Sequence, residues 1–195
     1  DKLMKDIGMI RSESEPCSYY MLDDNGEVVV LVNVHVDDNY AIGEDTQVEK
    51  FISEVEKRVA IKRLGDPEIF LGMEMQVDSK GDVQITQQKQ IDKLVEQFDL
   101  QYAFPTRVPH NTMRLEKAES NLEGDNYQSM VGGVIYISRG TKPEIAHNVL
   151  DLSRCLKNHD ERHIKAGKRV IQYLNHVKKI PLTISAKQNC PVIRV

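Results

Sequence analysis

The chain has 195 residues, enough for one sizeable domain or two small ones with a real core. With 40% hydrophobic and 29% charged residues it has the composition of an ordinary globular protein, and no apolar run approaches the roughly 18 residues of a membrane span. Three widely spaced cysteines (Cys17, Cys155, Cys190) argue against a disulfide framework; with an N-terminus that lacks a signal-peptide pattern, they predict an intracellular protein, cytoplasmic or nuclear.

The net charge of −4 hides an asymmetry. Residues 1–126 hold 14 basic and 26 acidic side chains, a balance of −12; residues 127–195 hold 12 and 4, a balance of +8. A basic final third suits a phosphate backbone, and an acidic first part suits metal ions. Attraction between the two parts, or to a partner, is the alternative.

In chain order, Leu3, Ile7 and Ile10 share a face and predict the end of a helix over 2–10. Cys17 to Leu22 reads as a strand, and Asp23-Asp-Asn-Gly26 as a hairpin turn, because Asn-Gly tolerates positive φ. The apolar strand from Val28 to Val36 delivers Asp37 and Asp38 to a second turn, and Tyr40 to Ile42 returns. Thr46, with Glu49 three residues on, predicts a helix start; Val48, Phe51, Ile52, Val55 and Val59 give that helix its apolar stripe. Ile69 to Val77 reads as one strand, Ser79-Lys-Gly81 as a turn, and Val83 to Thr86 as the hairpin partner.

From Gln87 the pattern becomes helical, with Ile91, Leu94, Val95 and Phe98 at helical spacing. A long loop is predicted over 101–126, then two or three helices near 127–139, 143–157 and 160–177. Pro143 suits a first turn, and Pro181 stops the last helix.

Adjacent carboxylates repel, so Asp37 and Asp38 need cations, water or a turn that solvates both. Two readings stay open from these residues: a solvated hairpin turn, or the metal-holding pair of a polymerase palm. Cys155, His159 and His163 recur at i, i+4, i+8, near metal-ligand spacing; Asp160, however, reads as a helix start that breaks the alignment, and no fourth ligand is evident. Cys190 has no neighbouring base, and Gly132-Gly133 suits close helix packing because no P-loop Lys-Ser/Thr follows.

Five segments then align with known patterns. Gly8-Met-Ile-Arg-Ser-Glu-Ser-Glu-Pro-Cys17 resembles GF-x-RS-x-x-D-x-C, and Val34-His-Val-Asp-Asp38 with Ala41-Ile-Gly43 resembles a Tyr-Val-Asp-Asp box. Lys62-Arg-Leu-Gly65 with Phe70-Leu-Gly-Met-Glu74 resembles K-D-LG…FLGIEI. Tyr127-Gln-Ser-Met-Val-Gly132, Ile135-Tyr-Ile137 and Thr141-Lys-Pro-Glu-Ile145 resemble YR-x-x-VG-x-L-x-YL-x-x-x-TRPDI. Leu152-Ser-Arg154, His163 and Lys168-Arg-Val-Ile-Gln-Tyr-Leu174 resemble LSR…HW…KR-x-LRYL. In this order, across residues 8–176, they resemble the C-terminal palm, thumb and connection portion of the reverse transcriptase in the pol polyprotein of Ty1/copia-type LTR retrotransposons.

The resemblance implies an α+β chain: a partial polymerase palm with a small antiparallel sheet, followed by a mainly helical thumb- and connection-like part. Residues 1–86 would carry the palm hairpin and a primer-grip-like strand, 87–126 a thumb-like helix and loop, and 127–195 a basic, connection-like part. Asp37 and Asp38 would be catalytic, holding Mg²⁺ or Mn²⁺ for nucleotidyl transfer by an RNA-directed DNA polymerase. Phe70, Leu71 and Gly72 would meet the primer end, and Lys62 is a candidate proton donor to pyrophosphate. Arg139, Lys142, Arg154, Lys165, Lys168 and Arg169 would lie along an RNA/DNA template-primer duplex.

The sequence also departs from the pattern. His35, Asn39 and Ile164 replace the family's Tyr, an aliphatic residue and Trp. A third palm carboxylate, the remaining palm strands and the fingers would lie before residue 1, so the expected partners include that missing portion of the polyprotein. The expected exposed sheet edge predicts pairing into a homo-oligomer. The 195 residues alone are expected to be inactive, and a domesticated, non-catalytic nucleic-acid- or protein-binding module is the alternative.

Overall fold

The computed structural model describes residues 1–36, 38–65, 68–79, 81–109, 115–119 and 126–185, and these fall into two compact units, 1–65 and 68–185. In the first, helix α1 (Lys2–Asp6) leads into a four-stranded antiparallel sheet in the order β1 (Ile10–Arg11), β2 (Ser18–Leu22), β3 (Val28–His35) and β4 (Asp38–Gly43); helix α2 (Asp45–Glu56) follows. The helix expected over 2–10 ends at Asp6, because Gly8 takes φ +86 and Ile10 enters β1.

Strand alternation shows how the valine-rich β3 serves two faces. Val30 and Val32 are fully buried with Met4, Met9, Tyr19, Phe51 and Val55, whereas Leu31 between them is exposed. Tyr19 stands opposite Val32 and Met21 opposite Val30, so β2 extends the same inward row. The first hairpin turn is as expected: Gly26 takes φ +83, and the Asp23 carboxylate accepts from the backbone N–H groups of Asn25 (2.9 Å) and Glu27 (2.8 Å). These bonds, Glu27's above all, hold the Asp23 carboxyl below its ordinary range. Thr46 is not the cap of α2; the helix begins at Asp45 after Glu44, whose side chain makes no capping bond. The acidic first-turn residue Asp45 complements the helix dipole instead.

The second unit opens with β5 (Ile69–Phe70), β6 (Met73–Val77) and β7 (Val83–Thr86), then α3 (Gln88–Gln97). Helix α4 (Tyr127–Gly140), a 3₁₀ turn (Pro143–Ile145), α5 (Ala146–Ser153), α6 (Glu161–Val177) and β8 (Leu182–Ile184) complete it. Strand β8, absent from the sequence expectations, pairs with β7 to give an antiparallel sheet in the order β5-β6-β7-β8. The strands of 69–86, expected with the first part, fall in the same compact unit as the helices, and the described units part at residue 65. The expected single strand 69–77 is a hairpin: Phe70 pairs with Met73, and Leu71 and Gly72 turn between them.

Helices α3, α4 and α6 share one core, in which Ile91, Tyr127, Val131, Val134, Ile137, Ile171 and Leu174 have no exposure. Small residues set the approach. A Cβ at Gly133 would strike Leu94 (2.5 Å), and one at Gly167 would strike Met130 Sδ, so α4 meets α3 and α6 through glycine. Helix α6 begins as expected at Asp160, which accepts from Arg162 N (2.9 Å) while His163 Nδ1 accepts from Asp160 N (3.1 Å), a capping box. The Arg162 guanidinium, above all, holds the Asp160 carboxyl well below the usual carboxylate range.

Candidate functional site

The β3–β4 hairpin carries Asp38 beside its turn. His35 pairs with Asp38, so the connection is two residues long, and Val36, its first, takes φ +53 at 83% exposure. A β-branched residue in left-handed backbone costs on the order of 1–3 kcal/mol and is held only where the surroundings impose it. Here the ladder on both sides does so. Asp38 opens β4 and is exposed, as are His35 and Asn39. Asp37 lies outside the described residues. Among the described residues no group of three His, Cys, Asp or Glu could hold a metal ion.

The primer-grip-like segment is the β5–β6 turn. Leu71 (φ +49) and Gly72 (φ +74) supply the two positive φ values that a two-residue hairpin favours, the leucine at a cost on the order of 1 kcal/mol. Tyr136 of α4 donates its hydroxyl to the Leu71 carbonyl. On the next strand the Glu74 carboxylate accepts from Thr86 Oγ1 (3.1 Å) and from the backbone N–H groups of Gln88 (3.0 Å) and Lys89 (3.1 Å), and so caps α3. Sequence reasoning missed both residues. The only signals were a polar residue on an otherwise apolar segment and a tyrosine on a buried helix.

Of the six basic residues expected on nucleic acid, Arg139, Arg154 and Lys165 are exposed, and Lys168 and Arg169 are half-buried. On α6 the inward positions are His163, Ala166, Gly167, Val170, Ile171, Leu174 and Val177, which leaves Lys165, Lys168 and Arg169 on the outer side. Arg162 is also exposed, but its guanidinium donates twice to Asp160 Oδ2 (2.9 and 2.7 Å).

Lys142 is the correction. It is 3% exposed, and its ammonium donates to the carbonyls of Val177 (3.0 Å) and Ile180 (2.7 Å), closing the end of α6. Burial lowers its pKa. A side chain spent this way does not reach a phosphate. Lys142→Met keeps the bulk and orphans those carbonyls, so it is expected to lower unfolding stability by about 1–3 kcal/mol in a urea titration.

The Cys155, His159 and His163 set is occupied in packing. His159 stacks on Tyr127 (4.4 Å between centroids, 19°), His163 serves the capping box, and Cys155 is buried, which raises its thiol pKa. Tyr127 in turn donates to the Leu152 carbonyl (2.9 Å), tying α4 to α5. Among the described residues no helix is long and apolar enough to cross a membrane.

With this geometry in place, comparison with known proteins is specific. The family model described as reverse transcriptase (RNA-dependent DNA polymerase) matches residues 1–112. The Retrovirus-related Pol polyprotein from transposon TNT 1-94 of Nicotiana tabacum is 28% identical over 185 residues, covering 89% of this chain and 14% of the polyprotein. The Putative transposon Ty5-1 protein of Saccharomyces cerevisiae is 27% identical over 175 residues, covering 88% of this chain and 56% of that protein. The Retrovirus-related Pol polyprotein from transposon RE1 of Arabidopsis thaliana is 27% identical over 172 residues, covering 86% and 12%. The chain thus spans between about an eighth and just over half the length of these relatives. No solved structure matches.

Proposed function

We infer the function of this chain from its family: it belongs to the reverse transcriptases (RNA-dependent DNA polymerases), in the form carried by Ty1/copia-type retrotransposons. We propose that it forms part of a retrotransposon RNA-directed DNA polymerase and contributes to metal-dependent nucleotidyl transfer on a template-primer duplex. The match of the family model across the Val-Asp-Asp hairpin carries this reading. The non-catalytic module is not favoured by the family match.

In this reading Asp37 and Asp38 hold Mg²⁺ or Mn²⁺. The donor set fits: carboxylate oxygens are hard ligands suited to these cations, and Asp38 is exposed at a hairpin tip with no ion-pair partner among the described residues. When bound there, a divalent cation supplies charge neutralisation to a reacting phosphate. The chain's own share is positional. The β3–β4 ladder holds Asp38, the Phe70–Gly72 turn meets the primer end, and Arg139, Arg154, Lys165, Lys168 and Arg169 hold the duplex backbone. The test is primer extension by a longer polypeptide that supplies the earlier palm carboxylate and fingers. Template-dependent extension should require Mg²⁺ or Mn²⁺ and be lost in Asp37→Asn; extension that survives that change would sink the assignment.

A further inference from the structure

We propose that Tyr136 is a positioning residue for the Leu71–Gly72 turn, holding it in the shape in which it meets a primer end; this rests on the primer-contact reading of Phe70, Leu71 and Gly72 above. The Tyr136 hydroxyl bonds the carbonyl of Leu71, 65 positions earlier in the chain. That carbonyl belongs to a leucine at φ +49, a conformation the residue does not choose by itself. At the neighbouring Gly72 (φ +74), a Cβ would lie 2.7 Å from the same hydroxyl oxygen, so the tyrosine both fastens the turn and requires glycine beside it.

The base of this contact is firm. Tyr136 projects from α4, where its neighbours Val134 and Ile137 have no exposure. The hydroxyl itself works at the surface, since Tyr136 is 39% exposed. Water can therefore replace the bond when the turn opens, and losing it changes the turn's shape more than the stability of the fold. Glu74, bonded to the start of α3, fixes the far strand of the hairpin and leaves the tip as the part Tyr136 must hold.

The test uses the full 195-residue chain and a DNA duplex whose primer ends in 4-thiothymidine, a photoreactive base. Tyr136→Phe keeps the ring and removes only the hydroxyl. In that variant, amide hydrogen exchange at residues 71–73 should accelerate roughly three- to tenfold. Cross-linking of the primer terminus to residues 70–72 should fall by about threefold or more, while duplex affinity and melting temperature stay within about twofold and about 2 °C of wild type. Gly72→Ala should slow cross-linking less in the Tyr136→Phe background than in wild type, because the hydroxyl it collides with is gone.

Exchange and cross-linking both unchanged in Tyr136→Phe would overturn the proposal, as would equal Gly72→Ala effects in the two backgrounds. If exchange accelerates but the wild-type level of cross-linking persists, the primer contact stands and the positioning role is refuted. If the wild-type chain binds duplex yet never cross-links at 70–72, the primer-contact reading fails and the positioning role falls with it.

Discussion

Raising salt from about 50 to about 200 mM should weaken duplex binding by this chain on the order of 10²–10³-fold. The estimate counts five cationic side chains outside the core of the second unit: Arg139, Arg154, Lys165, Lys168 and Arg169. Each phosphate neutralised adds about −0.9 to the slope of log affinity against log salt, so five give a slope of about −4.5. Replacing Lys165, Lys168 and Arg169 together by glutamine removes the outer side of α6 and should flatten the slope by about 3. Lys142→Met should leave the slope unchanged while costing stability, because its ammonium faces two carbonyls. A fluorescence-anisotropy salt series reads all three. A triple variant that keeps the wild-type slope would mean that the duplex lies elsewhere, and no binding at low salt would favour a protein-interaction role.

The contrast between Lys142 and its basic neighbours shows where sequence reading ran out. Charge is counted per residue, but burial is decided by helices that meet far apart in sequence. Nothing in Thr141-Lys-Pro-Glu-Ile145 signals that the end of α6 will close over the lysine. The Phe70-Leu-Gly-Met73 segment misled for a related reason: four consecutive residues without charge read as one strand, and the single glycine was the only mark of a two-residue turn. Strand β8 is three residues long, and its partner β7 lies about a hundred positions earlier, so no local pattern announces it. The elements read well were those with strong local signals. Asp160 as a helix start, the valine-rich strand from Val28, and Asp23 to Gly26 each fix their structure within a few residues. The candidate carboxylates were legible on the same ground, since their hairpin is local; their partners in any metal site are not.

That locality sets the last expected result. The 195 residues alone should bind Mg²⁺ or Mn²⁺ no tighter than about millimolar and leave a primer unextended. Two-metal displacement needs carboxylates that bridge two ions about 3.5–4 Å apart, and phosphoryl transfer depends almost wholly on such positioning. Asp38 stands exposed at the start of β4, and two carboxylates adjacent in sequence leave most of a cation's coordination to water. In a longer polypeptide that supplies the third carboxylate, the same pair becomes decisive, and Asp38→Asn should cut extension by about 10³-fold or more. Titration calorimetry on the short chain and single-turnover extension on the longer one separate the two statements. A micromolar site in the short chain that vanishes with Asp37→Asn would show that another carboxylate of these 195 residues completes the set. Template-dependent extension by the short chain would go further and place the whole catalytic centre within it.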